Sequence, residues 1–477
     1  MFLARPLAIP LIRDGTTTQN NLLKGAKMRF FRNFFNLKKE ELMPVSFMSI
    51  YFLLVITTFW IMKPLKKTLF ISHYDEMNFQ FFNWSFNAAQ TELLAKCLNM
   101  FVAFLAFWVF SKMAKRFQKE KLTHLFGGFF MVFFIYWAVR INTPSVVDIW
   151  GFYIFGDLFV TLMCACFFSF LNDSVTPDMS KRLYSFVILG GVVGGVIGTS
   201  LVRVWLKLLS LSEWMSVCVL LIVATIFCGY QAAKAFERLG TAQFVGDTEA
   251  ETDEKLEDSA IEIMRKVFSK KYLLGIISLV VMYEMVSTLF DFQFTSAVSH
   301  FLSGKEIGAQ FANVYLAVNI VSLLVQLFLT SFVLNQLGVS KGIMVMPVLA
   351  AVGALMFFVS PILLTGSLLC VIDNSFNYSI NQTSREALYV PLGKGDKYQA
   401  KAFIDIFGVR SAKVLGIGAS LLVTTFFTEY SSLRWVSFIA LGITVCWILV
   451  ATWLGREYKI RSRAVEEFEA TGKKVTA

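Results

Sequence analysis

Three lysines stand at the end of one of the chain's long apolar runs. The run Phe47 to Met62 continues directly into Lys63, Lys66 and Lys67. Charged side chains are costly in the hydrocarbon of a membrane, so they usually face a polar cavity or a substrate path, where lysines would bind an anion. Lys63 and Lys67 share one helical face if Pro64 allows the helix to continue. The alternative is that all three lysines extend to the outer membrane surface.

Two acidic residues, Asp157 and Asp291, lie inside other apolar runs and carry the complementary charge. A carboxylate in that environment is expected to pair with a cation, to bind a coupling proton or to balance the charge of a substrate. A structural ion pair between two helices is the alternative. Glu92 and Lys96 are four residues apart, and we expect them to form a local pair. These charges indicate a transporter for an anion.

Two arginines could hold phosphate groups, because a planar guanidinium matches the oxygens of phosphate. Arg385 precedes Glu386 where an apolar run ends. The preference of positive residues for the cytoplasmic side would also explain its position. Arg410 and Lys413 lie in the first turns of the next apolar run, where that preference explains less. Arg410 is therefore the stronger candidate of the two for a functional role.

Residue types that catalyse reactions or bind metals elsewhere are not arranged for those roles here. The three histidines are scattered, and the seven cysteines fall in apolar runs, where thiols pack as small apolar groups. The glycines from Gly190 to Gly198 recur at a spacing of four residues, which favours close helix packing, and they lack the ending of a phosphate loop. Because no hydrolase motif occurs either, we expect no enzyme, no cofactor and no metal site.

Composition indicates a membrane protein with many spans. The 477 residues are 56% hydrophobic and only 16% charged, and the mean hydropathy is +0.63. Soluble globular proteins do not have this composition. The net charge of +11 comes from Lys and Arg in the short segments between apolar runs. This is typical of cytoplasmic loops, so we expect no nucleic-acid partner.

The apolar runs predict an all-α membrane protein with twelve transmembrane helices. A polar stretch from Ala233 to Lys271 divides them into two six-helix halves, the layout of the major facilitator type. The predicted segments are a cytoplasmic N-terminal segment 1–43, halves 44–232 and 272–455, a central loop 233–271 and a tail 456–477. The predicted spans are approximately 44–66, 91–111, 122–141, 147–171, 183–206, 212–233, 272–298, 310–335, 342–360, 361–381, 402–428 and 433–454.

The distribution of Lys and Arg predicts the orientation. The loop after the second span contains Lys112, Lys115 and Arg116, whereas Arg140 stands alone after the third. Since positive residues concentrate on the cytoplasmic side, both termini are expected inside. The first ten residues are too short and too interrupted by proline for a secretion signal, and translation could begin at Met1 or Met28.

Two segments of the first half resemble the ATP/ADP translocase family, the nucleotide transporters of intracellular bacteria and plastids. Lys63-Pro64-Leu65-Lys66-Lys67-Thr68-Leu69 is similar to the family's R-D-T-K-D-x-L, which places the cavity lysine of the family on Lys66. Asp157-Leu158-Phe159 and Lys181-Arg182-Leu183-Tyr184 are similar to motifs of the fourth span and the loop that follows it.

The second half carries the other two similarities. Tyr283 and Asp291 match a tyrosine and a glutamate eight residues apart in the family's seventh span. The segment from Thr383 to Leu392 is similar to P-T-K-E-M-A-Y-I-P-L. Downstream, Lys401-Ala402-Phe403-Ile404-Asp405, Gly408, Arg410 and Lys413 follow the family's K-A-A-I-D-x-x-G-x-R-x-x-K.

The resemblance implies a major-facilitator-like fold that exchanges or imports nucleotides. It also implies a lysine, two acidic residues and a basic residue as the functional charges. Lys66, Asp157, Asp291 and Arg385 keep all four charge signs, although two glutamates have become aspartates and a lysine has become arginine. A phosphorylated anion is expected to remain the substrate, while exchange and import both stay open.

We therefore expect a monomeric nucleotide transporter of the lipid bilayer that works by alternating access. Two alternatives remain: a proton-coupled importer of another phosphorylated or organic anion, and a non-transporting membrane scaffold. The predicted substrate-binding residues are Lys66, Lys63, Arg385 and Arg410 for phosphates, Asp157 and Asp291 as their counter-charges, and Tyr283 as a ring that could stack on a base.

Overall fold

The computed structural model describes residues 40–117, 119–175, 177–239, 260–330, 332–392, 400–401, 403–427 and 429–471. These residues are mainly helical. The α-helices are α1 (Leu42–Glu76), α2 (Ala88–Arg116), α3 (Lys119–Arg140), α4 (Val146–Ser174), α5 (Pro177–Trp205), α6 (Leu211–Arg238), α7 (Ala260–Ser269), α8 (Lys271–Phe301), α9 (Lys305–Leu324), α10 (Val339–Val359), α11 (Leu363–Phe376), α12 (Gln382–Ala387), α13 (Val409–Phe426) and α14 (Leu433–Thr471).

Shorter elements interrupt or join these helices. Strands β1 (Phe79–Phe81) and β2 (Trp84–Phe86) form an antiparallel hairpin between α1 and α2. The π-helical segments are π1 (Val325–Thr330), π2 (Val333–Leu337), π3 (Asn377–Asn381) and π4 (Ile404–Gly408), and Tyr430–Ser432 is a 3₁₀ turn. Most of the predicted segments 1–43 and 233–271, and the last residues of the tail 456–477, lie outside the described residues.

Within the described part of the chain, 11 helices are long and apolar enough to cross a membrane. They correspond in position to eleven of the predicted spans, which confirms a helical protein with many membrane spans. The predicted span 361–381 coincides with α11 and π3. The helix is divided there into short pieces, and α11 alone has 14 residues, fewer than the roughly 20 that a regular helix needs to cross a bilayer. The count of twelve spans stays a prediction.

The described residues form two compact units. The first contains 40–67 and 101–239, and the second contains 68–100 and 260–471. Helices α1 and α2 therefore contribute residues to both units. The predicted six-helix halves differ from these units chiefly in residues 68–100, and they stay a prediction.

In the first unit, the regularly spaced glycines of α5 pack against α1. A Cβ atom added at Gly190 would lie 2.6 Å from the carbonyl oxygen of Ser49, and one at Gly198 would lie 2.6 Å from that of Thr57. The Thr57 hydroxyl donates a hydrogen bond to the Gly194 carbonyl oxygen at 3.1 Å. The predicted packing role of these glycines is confirmed, and it fixes α1, the helix that carries the three lysines.

In the second unit, α8 packs against α11, α13 and α14. The Gln293 amide of α8 donates hydrogen bonds to the Ser437 hydroxyl at 2.6 Å and to the Leu433 carbonyl oxygen at 3.2 Å. The Tyr272 hydroxyl donates to the Leu388 carbonyl oxygen at 2.7 Å. These buried hydrogen bonds fix α8, which carries Tyr283 and Asp291, against its neighbours.

Candidate functional site

Lys66 and Asp157 form an ion pair in the first unit. Lys66 lies in the second half of α1 and is only 5% exposed. Its Nζ donates a hydrogen bond to the Tyr153 carbonyl oxygen at 3.4 Å and lies 4.5 Å from the centre of the Tyr153 ring. The carboxylate, the carbonyl oxygen and the ring face together compensate the lysine for its loss of water.

The sequence of α4 makes room for this lysine. Gly156 lies next to Asp157, and a Cβ atom built at Gly156 would lie 2.8 Å from Cδ of Lys66. Only a residue without a side chain fits there unless the lysine moves. Tyr153, Gly156 and Asp157 are spaced to lie on one face of α4, so that face forms the lysine's pocket.

The two neighbouring lysines occupy different surroundings. Helix α1 continues through Pro64, which was the condition for placing Lys63 and Lys67 on one helical face. Lys63 lies over the ring of Trp60, with Nζ 4.6 Å from the ring centre. Lys67 is buried. The extra positive charge therefore lies on the same stretch of helix as Lys66.

In the second unit, Asp291 pairs with Lys96 of α2. Lys96 also lies 3.2 Å from the carboxylate of Glu92, which confirms the predicted local pair. The contact with Asp291 was not predicted, because helical spacing reveals neighbours along one helix and not partners from another. Lys96 is thus a candidate that the sequence analysis missed. Its charge within an apolar helix was the available signal.

Tyr283 lies two turns before Asp291 on α8 and is 3% exposed. Its ring is 5.8 Å from the ring of Trp447, centre to centre. Its hydroxyl donates a long hydrogen bond, 3.5 Å, to the hydroxyl of Ser287. Ser287 in turn donates to Asp373 of α11 at 2.6 Å. Tyr283 is therefore packed in the interior of the second unit, where it reaches a carboxyl group that was not singled out from the sequence.

Arg385 and Glu386 on α12 each meet an opposite charge near π4. Nη2 of Arg385 lies 3.9 Å from Oδ1 of Asp405, and Nζ of Lys401 lies 2.5 Å from Oε2 of Glu386. Burial raises the pKa of the Asp405 carboxyl above its ordinary value, while Arg385 and Lys401 oppose part of that rise. Arg385 is mostly buried, and the Asp405 carboxylate compensates its guanidinium for part of the lost hydration.

Arg410 and Lys413 lie in the first turns of α13. The Arg410 guanidinium donates a hydrogen bond to the Met100 carbonyl oxygen of α2 at 3.0 Å. Lys413 is more exposed and lies 3.7 Å from Glu284 of α8. These contacts connect α13 to α2 and to α8 within the second unit.

Most of the basic side chains described above form an ion pair with a carboxylate. Such a pair can open to admit a phosphate, because the phosphate then replaces the carboxylate as partner of the cation. Among the residues that the structure describes, no group of three or more His, Cys, Asp or Glu side chains could hold a metal ion. The pairs are Lys66–Asp157 in the first unit, and Lys96–Asp291, Arg385–Asp405, Lys401–Glu386 and Lys413–Glu284 in the second.

A family model and curated relatives of this chain both describe ATP/ADP carriers. A family model described as TLC ATP/ADP transporter matches residues 142–458. ADP,ATP carrier protein 2 of Chlamydia pneumoniae is 27% identical over 222 residues, which cover 41% of this chain and 41% of the carrier. The match thus spans about two fifths of the length of that relative. ADP,ATP carrier protein 5 of Rickettsia felis is 21% identical over 428 residues, covering 74% of this chain and 84% of the carrier.

Solved structures of transporters share the fold. A bacterial homologue of the iron transporter ferroportin, in an inward-facing state, has a TM-score of 0.59 to this chain at 10% identity. The likeness covers 87% of this chain and 99% of that one. At so low an identity the likeness concerns the fold alone, and it confirms the predicted major facilitator type.

Proposed function

This chain belongs to the TLC ATP/ADP transporter family, and from that premise we propose that it carries nucleotides across a membrane, exchanging ATP for ADP or importing a nucleotide. The observation that carries the proposal is the ion pair of the buried Lys66 with the half-buried Asp157. The names of the chlamydial and rickettsial relatives support a nucleotide as substrate. No covalent bond of the nucleotide changes in this process, so the protein acts as a carrier and not as an enzyme.

Lys66 binds a phosphate of the nucleotide in this proposal. When no substrate is bound, Asp157 neutralises the lysine, and a phosphate oxygen takes over that role during transport. Because a buried cation is costly without an anionic partner, Lys66 keeps one in both states. Lys63 and Lys67 on the same helix add to the positive potential that attracts the phosphates.

Within the second unit we propose the same exchange of partners. Arg385 leaves Asp405 to hold a phosphate with its planar guanidinium, and Arg410 adds a second positive group. Asp291 holds its own cation, Lys96, when the substrate is absent. For Tyr283 we propose contact with the base only in a state in which its ring has moved away from Trp447.

Transport by alternating access is the mode we propose, with the substrate held by cations while the helices rearrange around it. The concentration of lysines and arginines in alternate loops supports an orientation with both termini inside. We assign the protein to a bacterial inner membrane and expect it to function as a monomer.

The direct test is uptake of radiolabelled ATP into liposomes that contain the purified protein. The vesicles are either preloaded with ADP or left empty. Uptake restricted to ADP-loaded vesicles would indicate exchange, and uptake into both would indicate import. If neither takes up ATP, the nucleotide proposal is wrong, and other phosphorylated anions become the substrates to test.

Variants of Lys66 connect this activity to the site. Lys66→Ala should reduce uptake at least about thirtyfold, because truncating one member of a buried charge pair typically costs 2–5 kcal/mol. The double variant Lys66→Ala, Asp157→Asn leaves no uncompensated charge and should recover thermal stability but not uptake. Lys112→Ala changes an exposed lysine and serves as the matched control. Normal uptake by Lys66→Ala would exclude the assigned role.

A further inference from the structure

Asp373 is a buried carboxyl group in the middle of the second unit. It lies on α11 and is 4% exposed. Its Oδ2 accepts a hydrogen bond from the Ser287 hydroxyl of α8 at 2.6 Å. Its Oδ1 is completely buried and has no hydrogen-bond partner among the described residues. One of its two oxygens is therefore unsatisfied in the interior of a membrane protein.

An unsatisfied buried carboxylate is costly when it is charged, so such a group either pairs with a cation or takes up a proton. Asp157 and Asp291 follow the first course, since each forms an ion pair with a lysine. Asp373 has no Lys or Arg nitrogen within ion-pair distance in the part of the chain that the structure describes. Asp373 therefore avoids the cost of a buried charge by taking up a proton.

The groups that face Asp373 reinforce this conclusion. The charges that act on it are Glu284 and Asp291 from α8 and Lys413 from α13. Lys413 is already matched by Glu284 at 3.7 Å. The surrounding charges therefore supply no uncompensated cation that would stabilise a carboxylate at Asp373. Among the described residues, the tyrosines that interact with Asp373 are Tyr283 of α8 and Tyr378 of π3.

We propose that Asp373 is the binding site of a coupling proton, an inference that rests on the proposed nucleotide transport and extends it. A hydronium ion transfers its proton to the Oδ1 carboxylate oxygen: one O–H bond of the hydronium breaks, one O–H bond forms on Asp373, and the products are the neutral acid and water. The proton offsets part of the negative charge that the nucleotide brings into the unit, so the two ligands favour each other's binding. Ser287 is a positioning residue, because its hydroxyl fixes the other oxygen.

The test separates proton coupling from nucleotide exchange in the same liposomes. Exchange is measured at equal pH with ADP inside, and net uptake is measured into empty vesicles under an inward-directed pH gradient. For one proton per nucleotide, a gradient of one pH unit should support about tenfold accumulation by the wild-type protein, because one unit corresponds to 1.36 kcal/mol. Asp373→Asn should keep the exchange activity and lose the response to the gradient.

Controls make each outcome decisive. Asp373→Glu keeps a carboxyl group and should retain the gradient response, whereas Ser287→Ala should retain it with a changed pH dependence. Gradient-driven accumulation by Asp373→Asn equal to that of the wild type would overturn the proposal. So would the loss of exchange together with net uptake in a folded Asp373→Asn protein, since that would indicate a general binding role.

A second measurement needs neither a variant nor transport. Adding ATP to the weakly buffered, detergent-solubilised wild-type protein with a pH-indicator dye should produce a proton uptake of about one per bound nucleotide at the most responsive pH. ATP binding without any proton uptake at any pH would overturn the assignment of Asp373 while leaving nucleotide transport intact. If wild-type exchange itself is absent, the proposed function fails separately.

Discussion

Lys96 on α2 pairs with Asp291 on α8, although 195 residues separate the two in the chain. The same lysine lies 3.2 Å from Glu92, one helical turn earlier. Two carboxylates of the second unit thus share one cation, and its removal would leave both without that partner. The contact joins helix α2, which belongs to both compact units, to the helix that carries Tyr283 and Asp291.

The first prediction concerns the coupling between Lys96 and Asp291. Each of Lys96→Ala and Asp291→Ala should lower the melting temperature and the ATP uptake, because the first removes the cation that Asp291 and Glu92 share and the second removes the interhelical partner of that cation. The double variant should be less damaged than the sum of the two, by a coupling free energy of about 0.5–3 kcal/mol. Thermal unfolding and uptake of the four proteins measure that coupling. Glu92→Gln is the control, since it keeps the pair between Lys96 and Asp291. Purely additive effects of Lys96→Ala and Asp291→Ala would contradict the prediction.

The second prediction concerns the pocket of Lys66. Gly156→Ala would place a methyl group 2.8 Å from Cδ of Lys66, so the lysine must shift away from Asp157. We expect a rise of about tenfold in the KM for ATP, which corresponds to ~1.4 kcal/mol of lost binding. The effect on folding should be small, because alanine favours the helix by ~0.5–1 kcal/mol over glycine.

Gly151→Ala on the same helix is the matched control for this prediction. A Cβ atom there would lie 3.7 Å from the ring of Trp137, which is an ordinary contact. Uptake by Gly151→Ala should therefore equal that of the wild type. If both glycine variants change the KM equally, the helix as a whole and not the lysine pocket would be responsible.

Sequence reasoning located individual charges well and their partners only in part. Lys66 and Asp157 stand out because charged residues interrupt apolar runs, and the expected role of Asp157 as counter-charge to a cavity cation agrees with its ion pair to Lys66. The partners of Asp291 and Arg385 come from other segments, which helical periodicity does not reveal. The local pair of Glu92 with Lys96 was predictable for the opposite reason, since both lie on one helix. The stripe of glycines predicted helix packing, but α1 as its partner emerged only from the fold.

Asp373 shows a different kind of omission. It lies inside the predicted span 361–381, so the signal that marked Asp157 was equally present. Asn374 and Ser375, which follow it directly, give that stretch the polar character of a helix end and so weaken the signal. The hairpin from Phe79 to Phe86 was also missed, because strands of three residues are too short for an alternating pattern to be recognised.

The third prediction separates the ring of Tyr283 from its hydroxyl. Tyr283→Phe keeps the contact with Trp447 and removes a hydrogen bond of 3.5 Å, so the loss of stability should be below about 1 kcal/mol. Tyr283→Ala leaves a cavity in the interior and should cost about 3–5 kcal/mol. Thermal unfolding gives the two costs, and the KM for ATP tests the base contact. A strongly raised KM for Tyr283→Phe at normal stability would show that the hydroxyl, and not only the ring, serves the substrate.

The fourth prediction follows from the raised pKa of Asp405. Because burial favours the protonated carboxyl, the folded protein holds this proton more tightly than the unfolded chain does. Its contribution to stability therefore falls as the pH rises from the ordinary aspartate value, about 4, through the raised one. Asp405→Asn stays neutral at every pH, so its melting temperature should gain on that of the wild type as the pH increases through this window.

Arg385 determines the size of this pH effect, since its cation favours the charged form of Asp405 at 3.9 Å. Arg385→Gln should raise the pKa of Asp405 further and enlarge the loss of stability at higher pH, and adding Asp405→Asn should remove that extra loss. Melting temperatures of the detergent-solubilised proteins over a pH series measure both effects. Glu306→Gln, at an exposed carboxyl in the first turn of α9, is the control. A pH dependence that is identical in the wild type, Asp405→Asn and Arg385→Gln would mean that Arg385 and Asp405 do not interact in the folded protein.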